Sequence, residues 1–242
     1  YEAPLPAVFA ACARRVSGVV VDVGANTGFY TLIALAANPG LTVQAFEPLD
    51  AVADGLEANL LLNEFRDRVT LSRVAVSDRS GTAVLYVPTD EHGLLETSAS
   101  LNPEFKARHL QTTEIPTVAL DDAFVEAKAE VVIVKVDVES LEHKVLQGAR
   151  HLLERDRPLV YLEVLPGADI RALEAMRREL SYVDVRVGPG WIVHGEPIKF
   201  DSDAWNHVLI PEEGCSDWIE LIDQVVSSPA AAGAAAAGLP GI

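Results

Sequence analysis

The most constraining feature of this chain is a short apolar run that enters a glycine turn. Val19-Val20-Val21-Asp22-Val23 is almost wholly β-branched, and it leads directly into Gly24-Ala25-Asn26-Thr27-Gly28. A run with no polar alternation reads as a strand covered on both faces, as in a parallel sheet. Parallel neighbours need crossover helices, and the chain supplies them. Phe29 to Ala37 is predicted as a helix closed by Asn38-Pro39-Gly40, and Leu41 to Phe46 as the second strand. Asp50 to Glu64 is predicted as a helix with Val52, Leu56 and Leu60 on its apolar side and Asp50 as N-cap, and Val69 to Val74 as the third strand. Two successive βαβ units imply a doubly wound α/β sheet.

The second half continues the alternation. Val131 to Asp137 is the strongest strand candidate in the chain. A helix over Leu141 to Glu154, a strand over Leu159 to Val164 and a helix over Ile170 to Leu180 follow. Tyr182 to Val187, Trp191 to Val193 and Trp205 to Ile210 are closing strands with antiparallel pairing. Between the halves, Thr82 to Val87 and Thr117 to Leu120 read as extra strands around the polar segment Pro88 to Ile115. That segment is too long for an ordinary connection, so residues 82–120 are read as an inserted β-hairpin or lid, where substrate choice would lodge. Ser227 to Ile242 is rich in Ala, Gly and Pro and is read as a flexible tail after a single domain over residues 1–226.

Charge and composition narrow the function. The 242 residues carry 19 Lys and Arg against 36 Asp and Glu, a formal charge of −17. Binding to phosphate backbones needs clustered Lys and Arg, so nucleic acid is not an expected partner, and an anionic membrane surface is disfavoured for the same reason. No apolar run reaches the roughly 18 residues that span a bilayer, and no signal-like segment opens the sequence. Cys12 and Cys215 lie far apart with no metal-ligand spacing, which fits free thiols in the cytoplasm.

The glycine turn carries the first chemistry. Gly24 lets a ligand approach the backbone, and Gly28 opens the following helix. Glu47 ends the second strand 23 residues after Gly24, where a carboxylate accepts both hydroxyls of a ribose. The spacing is G-x-x-x-G and not the G-x-G-x-x-G of dinucleotide sites, so a nucleoside without pyrophosphate is the expected ligand.

The second constellation is Lys135, Asp137, Glu139, Glu142 and His143. Asp137 ends its strand at the carboxyl edge, where doubly wound folds keep their sites. Lys135 shares its strand face and needs a partner, with Asp137 or Glu163 available. Glu139 and His143, four apart, would meet on one helical face. Asp137, Glu139 and His143 are the catalytic candidates, His143 having the side chain best suited to proton removal near neutral pH. Asp137, Glu139 and Glu163 are the candidate ligands of a Mg²⁺ ion. His92 and His109 in the insertion are further candidates for acceptor contact.

These segments together resemble one family. Asp22-Val23-Gly24-Ala25-Asn26-Thr27-Gly28, Phe46-Glu47-Pro48, Asn59 with Asn63, Ala75-Val76-Ser77-Asp78 with Gly81, Leu120-Asp121, and Lys135-Val136-Asp137-Val138-Glu139-Ser140-Leu141-Glu142 are similar in order and spacing to the FkbM family of S-adenosylmethionine-dependent methyltransferases. The similarity runs over roughly residues 17 to 165. It departs at Ser140, where the family usually has glycine. The resemblance implies a class I methyltransferase fold. It places Gly24 and Asn26 near the methionine part of the cofactor, with Asp22 supporting the loop, Glu47 on the ribose, and Ser77 and Asp78 near the adenine, and it counts Gly28 among the cofactor-binding positions. It also implies transfer of a methyl group to an acceptor hydroxyl, with a sugar hydroxyl of a glycoside, glycolipid or polysaccharide as first expectation and a polyketide hydroxyl as nearest competitor. A carboxyl methyltransferase, an NAD(P)-dependent oxidoreductase and a non-catalytic nucleoside-binding domain are the rivals. The expected partners are thus a small-molecule or glycan acceptor, with a homodimer left open.

Overall fold

A computed structural model describes residues 4–88, 99–102 and 110–228. In chain order the elements are α1 (Leu5–Ala13), β1 (Val19–Val23), α2 (Phe29–Ala37), β2 (Thr42–Phe46), α3 (Asp50–Leu62), β3 (Val69–Ser72), β4 (Ala75–Val76), β5 (Gly81–Pro88), β6 (Leu110–Val118) and α4 (Leu120–Ala123). They continue with β7 (Val131–Val136), α5 (Glu142–Gln147), α6 (Arg150–Asp156), β8 (Leu159–Glu163), α7 (Ile170–Glu179), β9 (Tyr182–Gly188), β10 (Trp191–His194), β11 (Asn206–Pro211) and α8 (Cys215–Val226).

The main sheet has the order β10-β9-β11-β8-β7-β1-β2-β3. From β3 to β8 every pairing is parallel, and β11 is antiparallel to both β8 and β9. The mostly parallel sheet and the antiparallel closing strands match the expected class I methyltransferase architecture. The β-branched run sits at the centre because β1 pairs with β2 on one side and β7 on the other. One face is packed by α1, α2, α3 and α8 through residues such as Phe9, Leu35, Leu56 and Ile222. The other is packed by α4 to α7 through Leu120, Leu146, Leu153 and Leu173. Strand order reverses between β1 and β7, and this topological switch opens a crevice at the carboxyl edge.

The insertion forms a second sheet, β4-β6-β5, over a small core of Ala75, Leu85 and Ile115. Its strands are longer than expected, since β6 begins at Leu110. Residues 89–98 and 103–109, with His92 and His109, lie outside the described residues, as does the tail from 229 onward.

Three local expectations are corrected. The helix predicted over Leu141 to Glu154 is two helices. Gly148 separates them where a Cβ would collide with the Ser77 carbonyl, and the Asp121 carboxylate caps α6 by accepting from His151 N–H at 3.0 Å and Leu152 N–H at 2.8 Å. Asp50 is the first residue of α3 and makes no cap bond. Three helices, α1, α4 and α8, lie outside the expected elements; α1 has no polar face to give a period, because it is buried against α2 and α8.

Candidate functional site

The glycine turn folds as it does because of its residue types. Gly24, Asn26 and Gly28 have φ of 74°, 51° and 95°. Glycine accepts the left-handed region freely and asparagine tolerates it better than most side chains. The turn is pinned to β2, since Gly24 and Ala25 N–H both donate to the Phe46 carbonyl at 3.0 Å. Glu47 completes this tie. Its Oε2 accepts from Asn26 N–H and its Oε1 from Leu49 N–H, each at 3.0 Å. Burial pushes the Glu47 carboxyl up to about 7 against those two bonds, with the Asp22 and Asp137 charges adding to the rise. Asp22 is buried behind the turn and accepts from Thr31 Oγ1 at 2.6 Å. Burial raises its pKa, while Thr31 and Lys135 oppose the rise.

The facing wall comes from β7 and β8. Asp137 N–H donates to the Val23 carbonyl at 3.0 Å, which brings the end of β7 beside the glycine turn. A Cβ at Gly24 would collide with the Asp137 carbonyl, so this approach is what requires glycine there. Lys135 is 1% exposed, lies opposite Asp22 in register and places Nζ 3.5 Å from Asp137 Oδ2 and 5.0 Å from the centre of the Tyr30 ring. The predicted Lys135–Asp137 pair is therefore present. Glu139 and Ser140 follow with φ of 57° and 79°.

Both walls line one cavity of about 850 Å³, which takes in Asp22, Gly24, Asn26, Glu47, Ser77, Asp137 and Glu139. Glu163 at the end of β8 lines it too. A cavity of this size is within the range of small-molecule sites. Much of its lining was not anticipated: Leu85, Ala99 and Leu101 come from the inserted sheet and its neighbour segment, and Leu165, Pro166, Phe200 and Trp205 from the loops after β8 and β10. No motif marks these residues, because loop packing brings them in from distant parts of the chain.

Four expectations fall elsewhere. Gly28 does not line the cavity; a Cβ there would strike Leu56, so its task is to let α2 pack on α3. Asp78 lines an adjoining cavity of about 420 Å³, which shares Ser77, Leu101, Leu141 and Lys144 with the first. His143 lines neither, and it shares no helical face with Glu139, because α5 begins only at Glu142. It is half-buried with Nδ1 enclosed and without a hydrogen-bond partner among the described residues, and burial lowers its pKa. The metal reading is also corrected: among the described residues no three His, Cys, Asp or Glu side chains gather to hold an ion. The cation beside Asp137 is the Lys135 ammonium.

Glu142 is fully buried under this wall. Its Oε1 accepts from Ser140 N–H at 3.1 Å, and burial followed by the Asp137 charge pushes the carboxyl up to about 7 against its backbone bonds. Elsewhere, His207 is a buried structural histidine, with Nδ1 2.9 Å from Asp184 Oδ1.

Comparison with known proteins gives the family. Residues 22–187 match the model of the methyltransferase FkbM domain. The chain belongs to the FkbM methyltransferase family. Among curated relatives of this family, the 31-O-demethyl-FK506 methyltransferase FkbM of Streptomyces tacrolimicus is 31% identical over 159 residues, 55% of this chain and 60% of that protein. The chain thus matches less than two-thirds of that relative's length. The crystal structure of an FkbM methyltransferase from Methylobacillus flagellatus KT superposes with a TM-score of 0.52 at 18% identity, covering 80% of this chain and 43% of that one. That likeness supports the class I methyltransferase fold. Among the described residues no helix is long and apolar enough to cross a membrane.

Proposed function

We propose that this protein is an S-adenosylmethionine-dependent O-methyltransferase acting on a neutral acceptor. One observation carries the reading: the glycine turn with Glu47 and the Asp137–Glu139 loop open onto the same cavity. The residues fit the cofactor. Gly24 and Asn26 present turn backbone to the cavity, and Glu47 is a buried carboxylate on the cavity wall with lone pairs beyond its two backbone bonds. Gly24 and Asn26 would receive the methionine end, Glu47 the ribose, and Val74 to Ser77 the adenine. When bound, the cofactor supplies a methyl group activated by its sulfonium charge.

The chain's own residues do the rest. Asp137 and Glu139 accept the hydrogen bond of the acceptor hydroxyl, orient its oxygen and take its proton. Lys135 holds Asp137 in place through its ammonium. His143, set away from the cavity, is replaced by these carboxylates as the proposed base. Leu85, Leu101, Phe200 and Trp205 exclude water and grip an apolar face of the acceptor.

Those walls favour a hydroxyl on a largely apolar scaffold over a bare polysaccharide. A hydroxylated polyketide or the sugar of a glycolipid both fit, and the likeness to a protein described as a 31-O-demethyl-FK506 methyltransferase favours the former. The free Cys12 and Cys215 fit a reducing, cytoplasmic setting. The test is transfer of labelled methyl from the cofactor across panels of polyketides, glycolipids and free sugars. An alkali-stable ether product on an apolar scaffold is expected. An alkali-labile ester would assign a carboxyl acceptor, and cofactor binding with no transfer would reduce the protein to a nucleoside-binding domain. NADPH binding in place of the cofactor would reverse the reading altogether.

A further inference from the structure

The loop from Asp137 to Ser140 carries the proposed catalytic carboxylates, yet its conformation is not one its residue types favour. Glu139 and Ser140 stand consecutively in the left-handed region, where side chains other than glycine, asparagine and aspartate are strained. Such a turn persists only when its surroundings over-determine it. Three contacts do so. Gly24 abuts the Asp137 carbonyl with no space for a Cβ. The buried Ser100 hydroxyl donates toward the Glu139 carbonyl at 3.2 Å and the Val138 carbonyl at 3.4 Å. From behind, Glu142 Oε1 accepts from Ser140 N–H.

The third contact is the unusual one. Glu142 is fully buried, lines neither cavity, and leaves Oε2 enclosed with no hydrogen-bond partner among the described residues. A buried carboxyl held by backbone N–H groups of its own turn, Ser140 with Val138 and Glu142 itself, is costly to keep, and an apolar side chain would fill the same space at lower cost. We propose that Glu142 is a positioning residue: its carboxyl fixes the left-handed Glu139–Ser140 turn and so aims Asp137 and Glu139 into the cavity. It acts through the backbone it holds and touches no reactant. The inference rests on the methyl-transfer reading for its kinetic arm only.

The test compares Glu142→Ala, Glu142→Gln, Ser140→Gly and the double variant Glu142→Ala/Ser140→Gly in the full chain. Two quantities are read: steady-state methyl transfer, and hydrogen exchange of the amides of residues 138–141 in the protein without cofactor. Glu142→Ala is expected to lower kcat roughly tenfold to a hundredfold, as a misplaced catalytic group does, with cofactor affinity changed by less than about threefold. Its 138–141 amides should exchange at least about tenfold faster. Glu142→Gln, which keeps an acceptor oxygen, should stay within about threefold of the parent on both measures. Ser140→Gly should restore several-fold of the loss in the alanine background, because glycine holds φ near 79° unaided. Three results would overturn the proposal: unchanged exchange in Glu142→Ala, a loss that glycine at 140 does not relieve, or faster exchange spread equally over Val145 and Leu146, which would mark a core defect. If the parent protein transfers no methyl group, the methyl-transfer reading fails while the exchange arm still decides the role of Glu142.

Discussion

The two walls of the cavity are built on opposite principles. The wall at the ends of β1 and β2 is pre-organised by residue type: its left-handed positions hold Gly24 and Asn26, and both Glu47 oxygens are satisfied by backbone donors. The wall at the ends of β7 and β8 puts a glutamate and a serine in left-handed positions, buries the Lys135 ammonium in a strand and leaves one Glu142 oxygen without a partner among the described residues. A wall that satisfies itself locally suits an invariant ligand. A wall held by contacts from Gly24, Ser100 and Glu142 concentrates strain where the proposed chemistry would be done.

The largest expected break in this contrast is Glu47→Ala. Two backbone donors and the proposed ribose lose their acceptor together, so cofactor affinity should fall about a hundredfold by calorimetry and the melting temperature should drop as well. A loss confined to kcat would move Glu47 from the binding wall to the chemical one.

Next is a pH effect. Burial raises the Glu47 carboxyl from its ordinary 4.5 to about 7. Ribose hydroxyls donate best to the ionised form, so cofactor binding should tighten as pH rises from about 6 to 8, by up to tenfold per unit below the folded pKa. Glu47→Gln should flatten the profile. Stability without cofactor should move the other way. Glu47 and Glu142, both raised to about 7, retain protons in the folded state that the unfolded chain has already lost. Their contribution is therefore fully present below about 4.5 and lost as pH climbs through about 7. A melting temperature that instead rises across that window would contradict the burial assigned to them.

This contrast also explains what could be read from the sequence. The β1–turn–α2 unit, Glu47 and the place of Asp137 were legible, because local residue types dictate them: β-branched runs, glycine spacing and a carboxylate at a strand end. The apolar wall from Leu85 to Trp205 was not, since it is assembled from the inserted sheet and two distant loops. His143 misled because a spacing of four implies a shared helical face only if the helix has begun, and Glu139 precedes it in a left-handed turn. The Mg²⁺ ligand set was hard to judge for a related reason: carboxylate count was visible, but not that among the described residues these side chains gather in no group of three, nor that the Lys135 ammonium stands beside Asp137.

Smaller effects sharpen the contrast. Trp205→Ala should raise acceptor KM about tenfold while leaving cofactor affinity within about threefold, as expected for an acceptor contact alone. Ser140→Gly in the parent should raise the melting temperature by about 2 °C, because relief of the left-handed strain slightly exceeds the added freedom of the unfolded chain. A drop would mean that the Ser140 side chain contributes more than its conformation costs.

The most direct test of the central claim, that both walls serve one reaction, is the crystal structure of the protein with S-adenosylhomocysteine. The expected result has the ribose hydroxyls on Glu47, the amino-acid end against Gly24 and Asn26, and the sulfur facing Asp137 and Glu139 across open space. A ligand bound outside this cavity, or bound with its sulfur turned away from Asp137 and Glu139, would contradict it.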